Sequence, residues 1–297
     1  MARLFPSPFL LMTAALFAAI PAFRLAAQDE YYGGGGRKTL LQWSGSSEEG
    51  GPPGFDEPLA SDRPDFVEAS VTVGRGVRQL EMGYTYFRDE AGDTSFNGHS
   101  FPEFLLRVGV LADWLEFRVG WNYASFSERF DLATKASLSG AEDMYLGLKL
   151  GLTPQDGILP EMALGPQMTV PTGQSQLTAG QVLPGVNWLY GWEVNDFIGI
   201  GGSSQANIAL DPLTLDEYLE FAQAFTINYT LSEKHVAYTE WFMITPAGAE
   251  SVTTVHFVDG GLAYRVTNNL QLDVRVGKGI SGPATDYFVG SGAVVRW

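Results

Sequence analysis

From Leu80 onward the chain places a large apolar side chain at every second position. Leu80, Met82, Tyr84 and Tyr86 alternate with Gln79, Glu81, Gly83 and Thr85. Successive side chains of a strand point to opposite faces, so this stretch has one apolar and one polar or small face. Phe104, Leu106, Val108 and Val110 repeat the pattern, as do Leu115, Phe117, Val119 and Trp121. Further rows follow at Met144–Leu152, Met162–Val170, Val186–Val194, Leu219–Tyr229, Val258–Tyr264, Leu270–Val276 and Tyr287–Trp297. Pro166 weakens its strand because proline gives no ladder donor. Phe197–Leu210 is rich in Gly and Ser, and Val236–Thr245 is apolar on both faces, which leaves its facing open. Polar loops are expected at Arg88–Ser100 and Ala124–Ala141. The count is about 12 strands, each near the 9–11 residues that cross a bilayer at a tilt. No helical period is sustained.

The row opposite the apolar one decides which face looks inward. It carries Glu81, Glu103, Arg107, Glu116, Arg118, Asp143, Lys149, Glu161, Glu193, Glu220, Asp273 and Arg275, interleaved with glycines. A soluble barrel would turn these charges outward. Glycines do little for a wet surface but make room inside a filled barrel, where charges of both signs can pair across the lumen. The expected fold is an all-β, closed antiparallel transmembrane β-barrel with an up-and-down meander over residues 61–297. Its lumen would be lined by the charged row. Connections after strands one, three and five read as about 13 residues or more, and those after two, six and ten as about two to four. Long loops at one end and short turns at the other fit such a barrel. An even strand count brings both ends of the barrel to the short-turn side.

Charge and composition narrow the partners. Lys and Arg number 18 against 34 Asp and Glu, a formal charge of −16, with no basic cluster. Counterion release on nucleic acid needs such clusters, so nucleic acid is excluded as a partner. There is no cysteine, which excludes disulfides and thiol chemistry. Arg3, an apolar run ending at Ile20, and small residues at Ala22, Ala26 and Ala27 read as an export signal over residues 1–27. Residues 28–60, with Gly33–Gly36 and a Gly/Pro-rich stretch at Gly45–Gly54, read as a disordered periplasmic tether.

Several motifs carry a resemblance. They are Ser61-Asp62-Arg63-Pro64-Asp65-Phe66-Val67-Glu68 before the first strand, Val73-Gly74-Arg75-Gly76, Gln79-Leu80-Glu81-Met82-Gly83-Tyr84, Pro102–Gly109, Glu116–Asn122 and Pro171-Thr172-Gly173. Together they resemble the outer-membrane β-barrel family labelled "putative MetA-pathway of phenol degradation". The resemblance implies an outer-membrane barrel that moves small, aromatic or otherwise hydrophobic compounds, and it brings no established catalytic residue. Trp297 is similar to the terminal aromatic by which barrel-assembly machinery recognises such chains.

Asp62, Arg63, Pro64, Asp65 and Glu68 would form a periplasmic entry motif, with Arg63 paired to an acidic neighbour in sequence. His99, His235 and His256 gather no nucleophile, base and orienter by sequence, and they have no metal-ligand spacing. No catalytic residue, metal or cofactor is expected. The leading function is an outer-membrane channel or facilitator for small solutes, with lipid, solute and assembly machinery as partners and the oligomer unassigned. The alternative is a structural barrel with a plugged lumen whose loops bind partners; a lipid hydrolase comes third.

Overall fold

The computed structural model describes residues 38–44, 50–130 and 135–297. The export signal expected at 1–27 lies outside the described residues. Among the described residues fifteen strand segments form one sheet. In chain order they are β1 (Arg78–Ala91), β2 (Thr94–Ser100), β3 (Phe104–Gly109), β4 (Leu115–Trp121), β5 (Tyr123–Arg129), β6 (Lys135–Ala141), β7 (Met144–Thr153) and β8 (Glu161–Val170). The rest are β9 (Leu183–Glu193), β10 (Ile198–Leu210), β11 (Glu217–Thr230), β12 (His235–Ala247), β13 (Val255–Thr267), β14 (Leu270–Gly279) and β15 (Tyr287–Arg296).

Three pairs of segments are halves of one long strand. β2 and β3 are separated by Phe101–Glu103, β4 and β5 by Asn122, and β6 and β7 by Glu142 and Asp143. The breaks lie side by side: Phe101 N donates to Tyr123 O, and Glu142 N donates to Asn122 O. Pro102 cannot donate to a ladder. Glu103 takes a φ of 34°, a left-handed value uncommon outside glycine. Counting each pair once gives twelve staves in an antiparallel meander, closed where β1 meets β15. Closure leaves the main wall with no free edge.

Two expected loops are strands. Arg88–Ser100 continues β1, turns at Gly92 with a φ of 61°, and returns as β2. Ala124–Ala141 holds most of β5 and β6. These segments rise past the broken staves with polar residues on both faces, and such a composition reads as loop. The expected length rule fails with them: the connection after the first stave is the tight turn 92–93. The connection 171–182 is long, as expected, and it folds inward, with Leu177 packed against a buried aromatic cluster.

The facing follows the alternation. Met82, Tyr84, Trp188, Phe225, Leu262, Leu272, Val274 and Val276 are exposed on the outer wall, while Gln79, Glu81, Arg107, Glu116, Arg118 and Lys149 are buried inside it. β12, left open by its composition, turns Tyr238, Glu240 and Phe242 inward. Trp297 is exposed at the short-turn rim, where it exchanges backbone hydrogen bonds with Arg78 and extends the closing seam. Residues expected as a free tether are bonded to the same rim. Leu40 N and Leu41 N donate to Gly151 O and Leu152 O, and Arg296 donates to the carbonyls of Pro53, Gly54 and Glu57.

At the far rim Asp211 clasps two connections. Its carboxylate accepts from Leu213 N, Glu250 N, Ser251 N and Ser251 Oγ. The Ser251 hydroxyl and these amides hold it below the usual carboxylate range. A depressed carboxyl stabilises the clasp above its free pKa, and that contribution fades as pH falls through the folded value. Asp211→Ala is therefore expected to raise proteolysis at 211–216 and 248–254 together at neutral pH, with the heat-dependent gel mobility of the barrel unchanged. Wild type should show the same sensitivity only in strong acid.

Candidate functional site

The acidic and arginine-containing motif does not sit at the threshold of the barrel. It lies inside, on a segment running from about Leu59 to Val73 before β1 begins. Neither does Arg63 pair with a neighbour in sequence. Its guanidinium reaches Asp273 at 3.2 Å and Glu103 at 3.1 Å, on β14 and at the first wall break. Glycine makes this possible. Gly83 and Gly292 are cross-strand partners on β1 and β15, and a Cβ on either would come within 2.3 Å of the guanidinium. The two glycines form a saddle on which Arg63 rests.

Asp62 enters the densest charge cluster. Arg107 bonds Glu116 at 2.8 Å and Glu81 at 3.2 Å, and also lies 3.2 Å from Asp62. Arg118 meets Asp62 at 2.5 Å and pairs closely with Glu68. Lys149 donates to Asp62 Oδ1 at 2.9 Å and to Ala69 O at 2.8 Å. Wall strands β1, β3, β4 and β7 thus supply Arg107, Arg118 and Lys149 against only Glu81 and Glu116. Asp62 and Glu68 of the inserted segment supply the missing negative charge. Burial would push the Asp62 carboxyl upward, but Arg107, Lys149 and Arg118 outweigh that and hold it below the usual range. Leaving one member of a buried pair uncompensated costs about 3–5 kcal/mol, so the segment is held strongly.

A second anchor lies deeper. Glu240 on β12 accepts from Phe66 N at 2.7 Å and Val67 N at 2.8 Å. Phe66 stacks on Phe242 with ring centroids 4.6 Å apart, and Val67 joins a buried cluster with Phe87, Phe96, Phe126, Phe257 and Phe288. Arg275 donates to Pro64 O at 3.0 Å and to Thr85 Oγ1 at 2.9 Å. Burial, with Asp259 and Asp62 nearby, pushes Asp65 up to about 8.

The charged row therefore pairs largely through the inserted segment and between adjacent strands, not directly across an open lumen. Glu161 is partly buried and accepts from Ser70 Oγ at 2.5 Å. Asp143 faces inward but serves the 171–182 connection, accepting from Gly173 N and Ala179 N. Glu193 is exposed at the short-turn end of β9, outside the cluster. The three histidines stay apart: His99 bonds Tyr84, His235 bonds Ser232 in an exposed turn, and His256 stacks on Trp241. Among the described residues no group of acidic residues, His or Cys could hold a metal ion.

Beside the segment lies a cavity of about 350 Å³. Arg63, Asp65 and Phe66 of the inserted segment form its inner side, and Arg118, Tyr145, Gln167, Thr169, Leu183, Gln205, Asn207, Glu220, Ala222, Ile244 and Arg275 are among its wall residues. A family model described as "Putative MetA-pathway of phenol degradation" matches residues 61–297. The chain belongs to this family. The match begins at Ser61, so it takes in most of the inserted segment along with the barrel. The fold is similar to that of an outer membrane channel from Pseudomonas putida F1, with a TM-score of 0.59 and 12% identity over 79% of this chain and 99% of that one. It also matches the NanC porin at a TM-score of 0.43, with 10% identity over 73% and 98% of the two chains. Among curated proteins none matches significantly.

The phenylalanine cluster, Glu240 and the cavity amides belong to no motif that marks them in the sequence as site residues. Phe87, Phe257 and Phe288 do sit in phase with the inward row, and that phase was the available signal.

Two outcomes test the insertion. The chain lacks cysteine, so Val67→Cys is a unique reporter. Its thiol should be protected from maleimide, and adding Gly292→Leu should expose it by crowding Arg63 off its saddle while the folded-barrel gel mobility persists. The docked segment binds a proton at Asp65 more tightly than a free one does, so docking should weaken as pH rises from about 4, the free carboxyl value, to about 8. Above that the share due to Asp65 should be flat. Asp62, Asp259, Glu240, Tyr238 and Arg275 surround the group, and labelling of Val67→Cys with and without Asp65→Asn at each pH isolates its share.

Proposed function

We propose that this protein is an outer-membrane channel that admits small solutes past the inserted segment. The carrying observation is the pairing of a closed barrel, apolar on its outer wall, with a cavity large enough for a small solute alongside the segment. Exposed rows such as Leu272, Val274 and Val276 suit hydrocarbon, and closure satisfies the backbone where no water can. Family membership and the likeness to the Pseudomonas channel support the same reading. The charged and amide-lined interior suits a polar route. The cavity volume of about 350 Å³ suits compounds the size of a single ring, the class the family label suggests.

A second reading has its own observation. The segment and the phenylalanine cluster fill much of the lumen, as a plugged barrel with partner-binding loops would require. Planar-bilayer recording separates the two. The channel reading expects stepwise conductance from folded protein. It also expects a several-fold larger, noisier conductance when Asp62→Asn and Glu68→Gln loosen the segment. Folded protein that stays silent in both forms would overturn it in favour of the plugged barrel.

A further inference from the structure

We propose that the cavity contains a binding subsite for a small organic ammonium ion, with Glu220 as its specificity-determining residue. This rests on the channel reading and names the solute class that the channel would favour.

The geometry starts from one carboxylate. Glu220 faces inward on β11 and lines the cavity. Its Oε2 accepts from Tyr218 at 3.1 Å, and none of the ion pairs found among the described residues includes it. Its partner across the ladder is Asn207, whose Oδ1 accepts from Gln167 at 2.8 Å. Gly185 opens the wall here, since a Cβ on it would fall 1.9 Å from that oxygen. Carboxylate and amides thus form a connected polar strip on one side of the cavity. Leu183, Ala222 and Ile244, on the same and neighbouring strands, set apolar carbon beside that strip.

Charge decides the class of solute. Of the cavity's guanidinium groups, Arg63 is paired to Asp273 and Glu103, and Arg118 to Asp62 and Glu68. Arg275 is in no ion pair, but it sits on β14, three staves from Glu220, and donates to Pro64 O and Thr85 Oγ1 beside the inserted segment. Among the described lining residues Glu220 and Asp65 are the carboxylates outside every ion pair. Asp65 belongs to the inserted segment and is pushed up to about 8 by burial, which leaves Glu220 as the wall carboxylate to recruit a cation. An ammonium group losing water on entry needs a charged acceptor, and an anion would meet like charge there. At about 350 Å³ the site lies at the small end of the roughly 300–1,000 Å³ spanned by ligand pockets. The favoured occupant is a cationic head on a body of about one ring.

Calorimetry on the full, detergent-solubilised chain at about pH 8, above the ordinary carboxylate range, tests this with three probes of one shape. Benzylammonium is expected to bind, benzyl alcohol more weakly, and benzoate not at all. Glu220→Gln should weaken benzylammonium about tenfold or more and leave the alcohol unchanged, as loss of a charged hydrogen bond predicts. Glu220→Asp, which keeps the charge, should restore part of the difference, and gel mobility checks that each variant is folded. Equal binding of benzoate, no binding of benzylammonium, or an unchanged Glu220→Gln would overturn the proposal. Bilayer current is read separately. Binding without current would leave the subsite standing and sink the channel reading, and current without ammonium binding would do the reverse.

Discussion

The interior of this barrel is organised by a charge imbalance in its own wall. Arg107, Arg118 and Lys149 are buried on neighbouring staves, and the wall provides only Glu81 and Glu116 close enough to answer them. An excess cation in a confined interior carries a desolvation cost of several kcal/mol. Asp62 and Glu68 remove it by entering the lumen, and so the segment before β1 becomes part of the core. Most of the other lumenal features depend on this entry. Arg63 follows Asp62 onto the glycine saddle, Phe66 reaches Phe242, and the cavity is the space the segment leaves against the opposite wall.

The lumen is consequently zoned. Near the short-turn rim it is a network of ion pairs. Farther up, one wall is phenylalanine and the other carries Gln167, Gln205, Asn207 and Glu220. A solute crossing beside the segment would meet amides and Glu220 on the wall, and Arg63, Asp65 and Phe66 on the segment. The three adjacent wall breaks contribute to this zoning. They let β2, β5 and β6 diverge from the staves below and give the 171–182 connection a place to fold inward, anchored on Asp143.

The alternation made the barrel legible because lipid and lumen impose opposite demands on neighbouring residues. Leu80, Met82 and Tyr84 against Gln79, Glu81 and Gly83 already contain the facing of β1. Strand ends were less legible. Arg88–Ser100 has no apolar row because its outer face leaves the apolar belt, so the polarity that marks a loop elsewhere here marks a strand. Residues 38–44 and 50–60 bond mainly through backbone groups to rim carbonyls and to Arg296, and composition carries no trace of such contacts. The charged row was visible, but its partners were not. Whether Arg107 meets a carboxylate across the lumen or one carried in on another segment depends on where Asp62 goes.

Glycine shows how a correct local reading can leave the decisive point open. In the sequence, inward glycines read as space for large neighbours, and Gly83 and Gly292 are such space. The neighbour is Arg63, more than two hundred residues from Gly292 along the chain, and not a side chain of the facing wall. Had those positions carried alanine, Arg63 could not lie flat between Asp273 and Glu103, and Asp62 would be drawn away from Lys149. The cations of the wall would then have to find other partners or water. The space left by two missing side chains on β1 and β15 thus helps set the charge balance on β3, β4 and β7. The inserted segment carries that dependence across the barrel.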